Sequence, residues 1–100
     1  MPLESSISKA IIKAVKAKLP GTMIRKRHVT MGLMGDPDLY GALVGGHHFE
    51  IEVKQKGNSP TALQLQRLAE WRAAGAITGV AHNVDEALAI LLFNRKQGTK

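Results

Sequence analysis

The segment His48-Phe49-Glu50-Ile51-Glu52-Val53-Lys54 alternates strictly between apolar and polar residues and follows the pair Gly45-Gly46. Period-two alternation is the signature of a strand with one face against a core, and a glycine pair before it marks a hairpin. The strand therefore sends Phe49, Ile51 and Val53 to one side and Glu50, Glu52 and Lys54 to the other. Leu39 to Val44 supplies the preceding strand. The glycine turn admits two registers. A two-residue Gly45-Gly46 turn pairs Leu39 with Glu52 and sends Asp38 to the opposite face. A three-residue connection, Val44 to Gly46, with glycine in a left-handed conformation, sets Asp38 level with Glu52 and aligns Leu39 and Leu43 with Phe49. The second is preferred, because it keeps both leucines on the apolar face.

The rest of the chain reads around this hairpin. Pro2 to Leu19 is a helix with Ile7, Ile11, Val15 and Leu19 on one stripe and Lys9, Lys13 and Lys16 opposite, stopped by Pro20-Gly21. Glu4 falls on the apolar stripe, either as a first-turn residue favoured by the helix dipole or as a carboxylate aimed at something cationic. Thr22 to Val29 is a basic strand, and a loop with Gly32, Gly35 and Pro37 follows. Thr61 caps a helix to about Ala74, ended by Gly75. Ala76 to Ala81 is a short strand, and Asn83 with Glu86 forms a capping box for a last helix reaching about Asn94. The order αβββαβα indicates an α/β layered domain with a mixed central sheet.

At 100 residues, with 44% hydrophobic residues, the chain makes one domain spanning residues 1–100. The absence of Cys excludes disulfides, a Cys-based zinc site and a thiol nucleophile. The longest apolar run, Ala87 to Phe93, is far short of the roughly 20 residues that span a bilayer, so no membrane association and a cytoplasmic location are expected. Fourteen Lys and Arg against eight Asp and Glu give a net charge of +6. That excess favours a polyanionic partner.

Two carboxylates brought level on a strand face form a hard-oxygen site suited to Mg²⁺ or Mn²⁺. An ion held there can lower the pKa of a bound water and stabilise charge developing on a phosphodiester. Lys54 shares the face and can meet the phosphate or orient the water. Taken together, Gly35-Asp36-Pro37-Asp38-Leu39, Glu52-Val53-Lys54, Thr61-x-x-Gln64 and Ala73-Ala74-Gly75-Ala76 resemble the virus-type replication-repair nuclease (VRR-NUC) family of the PD-(D/E)xK nuclease superfamily. The resemblance spans Glu4 to about Ala87. It implies a restriction-endonuclease-like fold and a Mg²⁺- or Mn²⁺-dependent DNA endonuclease. It makes Asp38 and Glu52 metal ligands with the Val53 carbonyl assisting, Lys54 the catalytic lysine, and Glu4 the acidic first-helix residue beside the metal. Gln64 corresponds to the family's glutamine in the helix after the catalytic strand, and its projection beside Leu68 and Trp71 faces it inward.

Arg25, Lys26, Arg27, Lys56 and Arg67 are the expected phosphate contacts. Arg72 is expected to lay its stem along the surface. His47 and His48 lack a third ligand at metal spacing and are expected as exposed strand-start residues, while Gly57 and its polar neighbours would form a mobile rim. The last helix is apolar nearly all round, with Leu88, Leu91 and Leu92 toward the sheet and Ala89, Ile90 and Phe93 elsewhere. A homodimer covering that second face is expected, with a long N-terminal helix folding over it as the alternative. The function so indicated is hydrolysis of branched DNA, most naturally a four-way junction as in a Holliday-junction resolvase of viral recombination and repair. Flap, splayed-arm or duplex cleavage is the alternative within the same chemistry, and a non-catalytic nucleic-acid-binding module is the alternative outside it.

Overall fold

The computed structural model describes residues 2–28 and 34–98. Seven elements follow one another: α1 (Glu4–Lys18), β1 (Met23–Lys26), β2 (Leu39–Ala42), β3 (His48–Val53), α2 (Ala62–Ala73), β4 (Ile77–Ala81) and α3 (Val84–Gly98). The strands lie in the order β1-β2-β3-β4. The first two pairings are antiparallel and the third is parallel, with α2 carrying the crossover. This is the mixed α/β sheet that the sequence order requires. The first strand is shorter than expected, and the far end of that expectation, Val29, lies outside the described residues, as does Gly32. None of the helices described is long and apolar enough to cross a membrane.

The alternation in β3 decides the layering. Phe49, Ile51 and Val53 are fully buried, joined on the same face by Ile24, Leu39, Leu43, Ile77 and Ala81. Ile7, Ile11 and Val15 from α1, Leu19 just past its end, and Ala87, Leu88 and Leu91 from α3 close over that face and complete one continuous core. Burying each such side chain contributes roughly 1.5–3 kcal/mol before entropy is counted. The opposite face receives α2: Arg72 Nε donates to Thr78 Oγ1 at 2.9 Å, whereas a Cβ on the next residue, Gly79, would meet Ile90 of α3. Adjacent strand residues thus face different helices. Of α2 only Leu68 is buried, and it stands apart from the core cluster.

Gly41 lies opposite Phe49 on the apolar face. A Cβ there would fall 1.8 Å from the Met23 backbone carbonyl oxygen and 2.9 Å from the Phe49 ring. The ring cannot retreat within a filled core and the carbonyl belongs to the sheet itself. Gly41→Ala is therefore expected to destabilise by about 3 kcal/mol or more, the upper end of overpacking costs, as read from urea unfolding.

Candidate active site

The three-residue turn forms as the preferred register requires. Gly46 N–H donates to Leu43 O at 2.9 Å and Leu43 N–H to His47 O at 2.9 Å, with φ of 101° at Gly45 and 90° at Gly46. Those positive values suit glycine, which has no Cβ to clash. The ladder then runs Ala42 with His48, Gly41 with Phe49, Tyr40 with Glu50 and Leu39 with Ile51. One step further brings Asp38 level with Glu52. Asp38 Oδ2 accepts the Val53 N–H at 2.9 Å, so Val53 enters the site by its N–H as well as standing next to Glu52 in the strand.

Glu52 is 1% exposed, and its Oε1 has no hydrogen-bonding partner. Burial foremost, then the nearby Asp38 carboxyl, pushes the Glu52 carboxyl up to about 9, with Glu4 adding in the same direction and Lys54 opposing. The other three groups of the expected centre, Asp38, Lys54 and Glu4, therefore all act on Glu52. In the metal-free protein Glu52 therefore favours its protonated form at neutral pH, because a buried carboxylate beside a second carboxyl is costly without a cation. An orphaned buried carboxylate oxygen beside a second carboxylate is the donor set that a hard divalent ion satisfies. Among the described residues, however, no group of three His, Asp or Glu side chains gathers closely enough to hold a metal by itself. Glu4 is near enough to repel Glu52 without closing a three-carboxylate cage. A Mg²⁺ ion commonly takes one or two carboxylates and keeps several waters, so the pair is a sufficient anchor.

The polar face of β3 is covered in part: of the two histidines expected to be exposed, His47 is and His48 is half-buried. Glu50 is fully buried. Arg27 engages it in a bidentate fork, Nη1 to Oε1 at 2.7 Å and Nη2 to Oε2 at 3.2 Å, and His48 Nε2 lies 2.6 Å from Oε2. The guanidinium is stacked over Tyr40 at 4.5 Å and near Trp71 at 5.7 Å, and the His48 ring rests 5.2 Å from that of Trp71. The physical reason is α2, whose Trp71 covers this part of the face and removes the water that would otherwise solvate Glu50. Of the five expected phosphate contacts, Arg25, Lys26 and Lys56 are exposed. Arg27 is committed to Glu50, and Arg67 bonds Met34 O at 3.2 Å and Glu70 at 3.1 Å.

Gln64 has a local role beyond the one implied by resemblance. It is the N3 residue of a capping box: Thr61 Oγ1 accepts the Gln64 N–H at 3.1 Å and Gln64 Oε1 accepts the Thr61 N–H at 2.9 Å. Its amide oxygen is engaged in that cap. At the other end Ala76 N–H returns to Trp71 O and Gly75 N–H, at φ 106°, to Arg72 O. That pairing is a Schellman stop. The α3 cap is offset from the expected box: Asn83 Oδ1 accepts the Glu86 N–H, but Glu86 reaches back to His82 N–H instead of to Asn83.

His82 also fastens the segment after Lys54, where a mobile rim was expected. Its Nε2 faces Asn58 O at 2.9 Å and its Nδ1 faces Glu86 Oε1 at 2.8 Å. Both partners are acceptors, so the imidazolium is the form that makes both bonds. The Asn58 carbonyl first, then the Glu86 carboxylate, raise the His82 pKa.

A solved structure described as a VRR_NUC domain superposes on this chain with a TM-score of 0.73 at 27% identity, covering 88% of this chain and 92% of the other. A second, described as a VRR_NUC domain protein, gives 0.72 at 23% identity and covers 92% of this chain and 88% of that one. No family sequence model and no curated protein matches. A shared fold over nearly the full length of both domains and Asp38 level with Glu52 at its sheet support assigning the chain to the VRR-NUC family.

Proposed function

We propose that this nuclease-type domain is a Mg²⁺- or Mn²⁺-dependent, structure-selective DNA endonuclease that resolves four-way junctions. The observation that carries the reading is the orphaned, buried Glu52 Oε1 beside Asp38. A divalent ion bound there would supply a Lewis acid and a water acidified toward neutral pH. The chain's own groups do the rest. Asp38 and Glu52 hold the charge, and Lys54, close enough to act on Glu52, presents an ammonium to the phosphate or the incoming water. Arg25, Lys26 and Lys56 offer exposed charge to neighbouring phosphates. Leu92 and Phe93 project from α3, 41% and 62% exposed, and a second copy joined there would place two sites about a twofold axis, as paired cuts require.

The test is one comparison of four-way junction, flap, splayed arm and linear duplex, each with Mg²⁺, Mn²⁺ or EDTA. Asp38→Ala is run in parallel, and light scattering reports the mass of the protein. The expected result is metal-dependent nicking, strongest on the junction, abolished by Asp38→Ala while DNA binding persists. Equal cleavage by Asp38→Ala would remove the site. Salt-sensitive binding with no cleavage in any metal would make the domain a binding module. Preference for flaps or duplex would retain the chemistry and overturn the substrate, and a monomer at micromolar concentration would overturn the dimer.

A further inference from the structure

The segment that delivers Asp38 is held by a residue that is no part of the carboxylate pair. Arg27 Nη1 donates to Pro37 O at 2.6 Å, and the Arg27 backbone N–H donates to Asp38 O at 2.7 Å. Trp71 Nε1, beneath the same guanidinium, donates to Asp36 Oδ1 at 3.3 Å. The three consecutive residues Asp36, Pro37 and Asp38 are thus each fixed from the Arg27 cluster. Glu50, fully buried and accepting both guanidinium nitrogens, fixes the fork in turn. Leaving that carboxylate unpaired would be strongly unfavourable, so Arg27 has one available place.

We propose that Arg27 is a positioning residue: braced by Glu50, it clamps the Asp36–Pro37–Asp38 segment so that the Asp38 carboxylate stands beside Glu52 before any cation arrives. Preorganisation of this kind matters because a ligand free to swing must be ordered when the ion binds. A lysine cannot replace the clamp. Its single ammonium lacks the planar fork that serves Glu50 and Pro37 together, although it carries the same charge to a phosphate. The proposal rests on Asp38 and Glu52 being the metal-binding pair.

The experiment measures Mn²⁺ binding directly, by electron paramagnetic resonance of free Mn²⁺, on wild type, Arg27→Lys and Glu52→Gln, with junction binding in EDTA alongside. Arg27→Lys is expected to raise the Mn²⁺ dissociation constant roughly tenfold or more, in the range typical of lost outer-sphere support. Junction affinity and its salt slope in EDTA should stay at wild-type values. Unchanged Mn²⁺ affinity would overturn the inference. For Arg27→Met, a salt slope lower by about 1 with unchanged Mn²⁺ affinity would make Arg27 a phosphate contact instead. The paired variant Arg27→Met with Glu50→Leu removes both charges and keeps the site apolar and filled. It should melt as a folded domain yet bind Mn²⁺ weakly. Wild-type Mn²⁺ affinity in that variant, or failure of both it and Arg27→Lys to fold, would assign the pair to the fold and overturn the inference. If wild type and Glu52→Gln bind Mn²⁺ equally, the metal pair itself is misassigned, which is a separate failure.

Discussion

Glu52→Gln is expected to abolish metal-dependent cleavage and, in the metal-free protein, to be more stable than wild type above neutral pH. The carboxyl is raised to about 9 in the folded chain, while an unfolded glutamate loses its proton near 4.3. Folding therefore favours the protonated form. The stability contributed by Glu52 is complete below the unfolded value and is lost as pH rises toward about 9, because the unfolded chain has released a proton that the folded chain must keep. An amide carries no charge, and its NH₂ can donate to Asp38. The variant should gain about 1–3 kcal/mol over wild type at pH 8, the usual scale for one unsatisfied buried polar group. In a domain of this size that corresponds to a melting point higher by several degrees. Adding Mg²⁺ or Mn²⁺ should raise the wild-type melting point and leave the variant's unchanged. A variant that melts below wild type at pH 8 without metal would show that Glu52 is not a destabilised carboxylate.

The second large effect concerns Lys54. Lys54→Ala should lower kcat on order of 10²-fold or more, as removal of a charge that meets developing phosphoryl charge commonly does. Direct Mn²⁺ binding should survive, since an ammonium is not a ligand. Its pH dependence should nevertheless move. Lys54 holds the Glu52 carboxyl down against burial and Asp38, so without it the proton is held more tightly and Mn²⁺ binding should need a higher pH. Wild-type cleavage by Lys54→Ala would remove the residue from the chemistry. Lost cleavage together with lost Mn²⁺ binding at every pH would make it a structural partner of the carboxylates.

The carboxylate pair was legible because its placement is governed by local rules. Alternation fixes the faces of β3, and two leucines that must be buried choose the turn length, which brings Asp38 to Glu52. The Thr61 cap and the Gly75 stop are likewise written within a few residues. What sequence reading missed is non-local. Nothing near Glu50 indicates that Trp71, 21 positions later, removes its water, or that Arg27, 23 positions earlier, supplies its counter-charge. One signal was available: three charged residues on a short strand in a mixed sheet demand covering partners, and a basic run on a neighbouring strand can provide one. The same covering moved His48 from an exposed position to a stacked one. Resemblance and helical projection both turn Gln64 inward, although Thr61-x-x-Gln64 is also the plainest capping-box spelling.

The turn at Val44 to Gly46 has a consequence for how such a site can vary. It lies at the exposed tip of the hairpin, roughly 20 Å along the strand from Asp38 at 3.4 Å per residue, and a Cβ at either glycine would meet nothing. Packing leaves room for side chains there, so the limits on the tip are the positive φ of its two glycines and its length. Losing or gaining a single residue would rotate every position of β2 by half a period, putting Asp38 into the apolar layer and a leucine beside Glu52. The carboxylate pair is thus addressed by counting, and a solvent-facing tip with no packing role of its own is among the segments least tolerant of insertion or deletion.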